Sequence, residues 1–562
     1  MHLHRKRFIP IGYLLLSIIV LVACENPLTW ISQTPNQTVS DDPFDQMAYE
    51  KNKELRLEKQ ELTGYAKDLS IQIDSPMYKE FAANSTVLVS GKIGKHKQLS
   101  QRHLWIKVEK KTDLIEDMPM QFNYYLPINS ADFSKKIHLF AGIGEYQLTL
   151  LVSGENKEEY YPLSTTHVIN VNPAIKRDIS YSFEAIENGL KLHTPHAGIE
   201  EQEGVFQLNG VTNTDELLIE TRKGNQKWQQ VLRVKNKTFR VDIPLLFGEG
   251  KHDIKVMLPD SSKKNYYLDG ASFIVDNRST AVRNPIRFTA LYQQRGVHLT
   301  KPIAGGELAS DNLPFEGTID PDGKKARETE YMIVQTVKGK DKATYFIPVR
   351  DFAFTGEIPF RFGAGQYDVL LFVPEITDEN RDFFRFFTVA SFQIESKKQE
   401  DLRDLLPSRG IPSDNEKIIA LGKKITPDKT TDYDKAKAIY QYVAQNMKYD
   451  MKKLRHNTFA WDDGALKSLE RQSGVCQDFV FLAIALLRAE GIPARFVEGE
   501  AGNQQHAWIE ARIDNRWLTM DPTWGSGYIT HHGTFVRRYD AKYFDPPATQ
   551  FKQTHKRNGL MY

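Results

Sequence analysis

The chain has 562 residues, too many for one hydrophobic core, so about three to five domains are expected. With 40% hydrophobic and 26% charged residues it is ordinary globular material, and 74 basic residues against 72 acidic ones leave a net charge of +2, so nothing in the charge argues for nucleic-acid binding. Two cysteines exclude a disulfide framework and a thiolate zinc site, and packed cores must carry the stability.

The N-terminus "MHLHRKRFIPIGYLLLSIIVLVAC" has a basic start at Arg5, Lys6 and Arg7, an apolar run from Phe8 to Ala23, and then Cys24. That order is the layout of a secretory signal. Leu21, Val22, Ala23 and Cys24 resemble the lipobox of a bacterial lipoprotein signal, which implies removal of residues 1–23 and lipidation of Cys24. A transmembrane anchor, or a plain signal with a chance cysteine, is the alternative. Multiple acyl chains suffice for stable anchoring. No other apolar run reaches about 18 residues, so the expected location is the extracytoplasmic face of a cell membrane. Residues 24–70 are polar and read as a flexible tether, with one exposed helix from Pro43 to Leu62.

A repeat follows. "FSKKIHLFAGIGEYQLTLLV" from Phe133, "FRVDIPLLFGEGKHDIKVML" from Phe239 and "FTGEIPFRFGAGQYDVLLFV" from Phe354 align without a gap. Ile137, Ile243 and Ile358 match, as do Gly144, Gly250 and Gly365. Period-two alternation after each glycine, as at Tyr367, Val369 and Leu371, predicts a strand with one buried face. Spacings of 106 and 115 residues suit one β-sandwich each, over 71–175, 176–280 and 281–397. The three would form a stalk, either a plain spacer or a ligand-binding array.

Beyond residue 398 the pattern becomes helical, and 398–562 is expected to be a separate α+β domain. Ala436, Ile439, Tyr440, Val443 and Met447 share one helix face. Cys476 opens another helix, with Phe479, Leu482, Ala483, Leu486 and Leu487 as its apolar stripe and Gly491 and Pro493 after its end. A thiol at a helix N-terminus feels the positive end of the dipole, which favours thiolate. A buried, inert core cysteine is the competing reading.

"QQHAWIEARIDNRWLTMDPTW" bears on that choice. His506, Trp508 and Glu510 alternate with Ala507, Ile509 and Ala511, and Asp514-Asn515 makes a two-residue hairpin turn. Pairing Ile513 with Arg516 puts Trp508 opposite Asp521, so His506 lies one diagonal step from Asp521 on the same face, within reach of a side-chain hydrogen bond. With Cys476 alongside, these residues supply a nucleophile, a base and an orienting acid. Trp517 is expected in the core, and Trp508 and Trp524 either in the core or beside the cleft. Gln477 lies near the cleft or on the helix surface. Asp478 reads as a first-turn residue, and His456, His531 and His532 as background.

"SGVCQDFVFLAIALLRAEGIPARFVEG", "HAWIEARIDNRW" and "MDPTW" resemble the three blocks of the transglutaminase-like (papain-like thiol) superfamily. The resemblance covers about a sixth of the chain, from about Lys435 to Trp524, and implies Cys476 as nucleophile, His506 as base and Asp521 as orienter. "WGSGYI", "YFDPPATQF" and His555 more weakly resemble the tail of the kyphoscoliosis-peptidase branch. The expected function is an anchored thiol protease or amidase without cofactor or metal, acting on protein or peptide substrates of the cell envelope. A cross-linking protein-glutamine transferase would use the same residues, and a non-catalytic adhesion or scaffold protein is the rival from another class. Since every candidate catalytic residue lies beyond 398, a fragment starting there is expected to fold and react by itself.

Overall fold

The computed structural model describes residues 41–562 except 116–117, 155–158, 264–265, 307, 310–311, 378, 380–382 and 503. The signal and Cys24 lie outside the described residues. The protein is β-rich and multisheeted, with an α+β region at its C-terminal end. Its contacts divide it into two compact units, one ending at Asp178 and one running from Ile179 to Tyr562. No helix among the described residues is long and apolar enough to cross a membrane.

In the first unit the helix forms over Pro43–Glu54, shorter than the sequence suggests, and it is not free. Ala48 is buried with Ala82 and Val171, and the Asn52 side chain bonds both N–H and C=O of Ala82. The polar segment thus becomes ordered chain well before residue 70, because Asn52 offers an edge strand the partners it lacks.

The repeat recurs as one strand-pairing pattern. Gly91 pairs with Phe133, Gly210 with Phe239 and Gly317 with Phe354. A Cβ at Gly91, Gly210 or Gly317 would lie 2.8, 2.8 or 2.3 Å from the ring of its paired phenylalanine, so each glycine makes room for the ring that fills its core. Gly144, Gly250 and Gly365 each open a strand at φ of +133°, +109° and +124°, a backbone that disfavours any side chain. They pair with Asn170, Asn277 and Ser396. A lysine closes each of the three turns. Lys110 donates to the carbonyls of Ala141 and Ile143, Lys223 to those of Phe247 and Glu249, and Lys338 to those of Phe362 and Ala364. In residues 71–170 and 191–277 the strands fall into a three-stranded and a larger sheet, whereas in residues 287–396 Asp341–Arg350 joins both halves into one nine-stranded sheet.

In the C-terminal region helices Glu416–Ile425, Asp432–Asn446 and Cys476–Ala489 share a core with a four-stranded sheet ordered Arg516–Met520, Gln504–Ile513, Ala494–Ala501, His555–Met561. The Cys476 helix is buried continuously from Asp478 to Arg488, not along one stripe, because helices and sheet enclose it. The region does not close on its own core alone. Fully buried Arg361, from the preceding β segment, donates to the Tyr345 hydroxyl and to the carbonyls of Arg403 and Pro407. Trp461 stacks on Tyr331 at 4.8 Å and donates to Glu330. Tyr562 is buried in the core of residues 286–394.

Candidate active site

The turn before the helix is fixed from below. Lys448–Tyr449 pairs in parallel with Ser473–Gly474, and the N–H of Val475 donates to Asp478 Oδ2 at 2.8 Å. Asp478 is buried and receives Lys453 Nζ at 3.0 and 2.8 Å, while Lys453 also meets Asp463 at 2.8 Å. Burial pushes the Asp478 carboxyl up, against the pull of Lys453. Its partners give Asp478 a structural part, holding the turn that presents Cys476. A Cβ at Gly474 would lie 2.3 Å from Asp478 Cβ, so only glycine fits there.

The hairpin register is the one the turn chemistry predicts. Ile513 pairs with Arg516 and Ile509 with Met520, and Asp514 and Asn515 both have positive φ, at +50° and +61°. His506 Nε2 lies 2.9 Å from Asp521 Oδ2. Cys476 is half-buried, and its interaction with His506 is among the causes that raise the imidazole. The structure therefore brings His506 and Asp521 together, with Cys476 close enough to act on the imidazole.

Each oxygen of the fully buried Asp521 carboxylate is occupied. Oδ1 accepts the N–H groups of Thr523 at 2.9 Å and Trp524 at 3.1 Å, and Oδ2 faces Nε2 of both His506 and His555, the latter at 3.2 Å. Burial alone would raise the carboxyl, but the two imidazoles hold it well below the usual carboxylate range. Burial likewise opposes protonation of His506, yet Asp521, and after it the interaction with Cys476, outweigh it and raise the imidazole to about 10. The donor atoms of His506, Asp521 and His555 lie within 4.8 Å of one another, close enough for three metal ligands. Both His–Asp contacts have hydrogen-bond length, and backbone donors use the other carboxylate oxygen, so the cluster is complete as a hydrogen-bond network.

The remaining candidates separate. Gln477 is half-buried beside Cys476. Trp508 is 3% exposed and packs against His506, His555 and Phe551, which makes it a wall of the network, not an open cleft residue. Trp524 is half-buried, with its ring 5.9 Å from His506 and 4.6 Å from His555. Trp517, expected in the core, is half-buried on the outer face with the Arg495 guanidinium 3.7 Å above its ring. His531 and His532 face each other at 3.8 Å.

Sequence reasoning missed Tyr449. Its hydroxyl is pushed up by burial and then by the charges at Cys476, Asp521 and Asp478, so it stands close enough to feel the nucleophile. No local pattern announces a residue that reaches the nucleophile from a separate two-residue strand. His555 carried only the weak tail resemblance, and its contact with Asp521 crosses 34 residues.

Residues 419–522 match the family profile of the Transglutaminase-like superfamily. The chain is similar to uncharacterized protein YebA of Bacillus subtilis (strain 168), 31% identical over 152 residues that make up 23% of this chain and 19% of that protein. It is also similar to kyphoscoliosis peptidase of Homo sapiens, 26% identical over 141 residues, 22% of this chain and 21% of that protein. It thus spans about a fifth of the length of these two relatives. Among solved structures, one of a TGase overlaps at 22% identity, 28% of this chain, 46% of that chain and a TM-score of 0.18. The C-terminal region of the chain, over residues 419–522, carries a transglutaminase-like domain.

Proposed function

We propose that this protein is a thiol hydrolase of peptide or carboxamide bonds, with Cys476 as nucleophile, His506 as acid and base, and Asp521 as orienter. The observation that carries the reading is the position of His506, 2.9 Å from a buried carboxylate and close enough to Cys476 to be influenced by it. The Cys476 sulfur attacks the carbonyl carbon, and the imidazolium of His506 gives its proton to the departing amine, leaving a thioester. Water then attacks the thioester, His506 takes the water's proton, and the acid and the free thiol are released. Two groups would serve the oxyanion. The Cys476 N–H at the helix start is one, and the hydroxyl of Tyr449, close enough to feel the charge at Cys476, is the other.

Three β-sandwiches would carry this domain outward from a lipid anchor at Cys24, on the extracytoplasmic face of a membrane, toward protein or peptide substrates of the cell envelope. The thrice-repeated pairing of glycine with phenylalanine supports the sandwich count. The lipobox-like order of residues 21–24 supports the anchor.

The test is product analysis on envelope proteins and peptides, with and without a primary amine. Free carboxylate products from the parent, and none from Cys476→Ala, are expected. Products that form only when the amine is added would replace hydrolysis by transfer. Absence of both, with Cys476 inert to iodoacetamide, would leave a scaffold.

A further inference from the structure

We infer that His555 is a positioning residue that fixes the Asp521 carboxylate for His506, and that the strand it opens holds it there from the neighbouring β segment. The inference rests on the proposed pairing of Cys476 with His506. His555 has a fully buried side chain, and its Nε2 meets the carboxylate oxygen that His506 uses. Its Nδ1 lies 2.8 Å from Thr554 Oγ1, and its ring stacks on Phe551 at 3.8 Å and 13°. Thr554 Oγ1 also lies 3.2 Å from the Phe551 carbonyl oxygen, and its one proton serves either acceptor; donated to the nearer Nδ1, it leaves the imidazole proton on Nε2, aimed at Asp521.

A buried imidazole among aromatic rings costs desolvation that a phenylalanine would avoid, unless its hydrogen bonds are used. Here one of them does something specific. With only Thr523, Trp524 and His506 as partners, the carboxylate could twist toward the second imidazole's place. The fourth donor fixes its plane, and with it the direction of the His506 ring.

His555 is in turn held by its strand. Within His555–Met561, His555 pairs with Ala501 and Arg557 with Gly499. Gly499 also pairs with His506, and a Cβ there would lie 2.2 Å from the Lys556 carbonyl oxygen, so the two histidine-bearing strands close on a glycine. One residue past the strand, Tyr562 is buried in the core of the β segment, and its carbonyl accepts the Thr344 N–H at 3.1 Å.

The test is the alkylation rate of Cys476 by iodoacetamide against pH, read on the Cys476 peptide by mass spectrometry in the full chain. The groups facing the reacting pair are Asp521, His555 and Tyr449, with Asp478 and its partner Lys453 beneath the turn, and all but His555 stay unchanged. His555→Phe keeps the ring stack and removes the donor. It should move the acidic limb of the profile up by about one pH unit, a roughly tenfold slower reaction on that limb. His555→Gln restores a donor and should restore the limb. Thr554→Val, at an exposed position, should shift the limb in the same direction as His555→Phe, and Thr554→Ser should not. The Thr554 variants decide the matter if His555→Phe does not fold. A parent-like limb in His555→Phe and Thr554→Val, whatever their melting temperatures, would make His555 core packing and overturn the inference alone. A parent chain with no acidic limb below that of a free thiol would overturn the Cys476–His506 pairing and the inference with it.

Discussion

At His506 two opposing effects set the charge, and the winner has a measurable consequence. Burial disfavours the imidazolium, but a buried carboxylate at 2.9 Å outweighs it and raises the group from 6.5 to about 10. A raised group contributes stability that is whole below about pH 6.5 and is lost as the pH rises through about 10. Asp521 works in the other direction. Its depressed carboxyl contributes stability above 3.8 that is lost as the pH falls toward its folded value. Urea midpoints measured across this range should therefore fall above pH 6.5 in the parent, and His506→Gln should flatten that fall. An unchanged slope would mean that the imidazole is neutral in the folded state. Asp521→Ala removes the partner of two imidazoles and two backbone N–H groups at once. It should cost about 3–5 kcal/mol in denaturant unfolding, and a loss below 1 kcal/mol would show that water replaces the carboxylate. The proximity of His506 and Asp521 is legible in the sequence because strand period and turn type are local rules. His555 and Tyr449 are not, because they reach the site through tertiary packing that no period encodes.

At the scale of elements, the repeated unit is held by two devices of different legibility. The glycine at the strand start stands out, since three sequences share it at one offset from a phenylalanine. The lysine that closes the turn does not, because Lys110, Lys223 and Lys338 lie on another strand and meet carbonyls 24 to 33 residues away. Lys338→Met should cost about 1–3 kcal/mol, the loss of charged hydrogen bonds to the Phe362 and Ala364 carbonyls. Gly317→Ala puts a methyl group 2.3 Å from the Phe354 ring and 2.4 Å from the His298 carbonyl oxygen, and should cost a similar amount through forced repacking. Thermal melts of the two variants check both values, and a neutral Gly317→Ala would mean that the Phe354 ring and the His298 backbone both give way freely. The nucleophile turn follows the same logic with charge in place of volume. Lys453→Met leaves Asp478 and Asp463 buried without their common cation, and it should lower both stability and the alkylation rate of Cys476.

Across the whole molecule, the texture change near residue 398 marks a change of fold type but not a limit of cooperativity. Arg361 reaches into the segment 403–407, Trp461 stacks on Tyr331, and Arg403 pairs with Asp341 at 2.9 Å. The sequence hides these contacts because each is a single side chain crossing a boundary between two periodic patterns. A fragment covering 398–562 should therefore lack a cooperative melt, whereas one covering 281–562 should melt cooperatively and react at Cys476 as the full chain does. Calorimetry with thiol labelling distinguishes them, and a sharp transition in the shorter fragment would make the contacts superficial.

The scarcity of sulfur has a consequence for the protein's lifetime. Cys476 is one of two cysteines in the sequence, and under the proposed reading the other carries lipid. When peroxide converts the half-buried Cys476 to a sulfenic acid, no second thiol of the chain is free to trap it as a disulfide. Rescue then depends on thiols supplied from outside, and it ends once oxidation reaches the sulfinic stage. Peroxide should silence the site by a single, stoichiometric hit. Early addition of a small thiol should reverse it, and late addition should not.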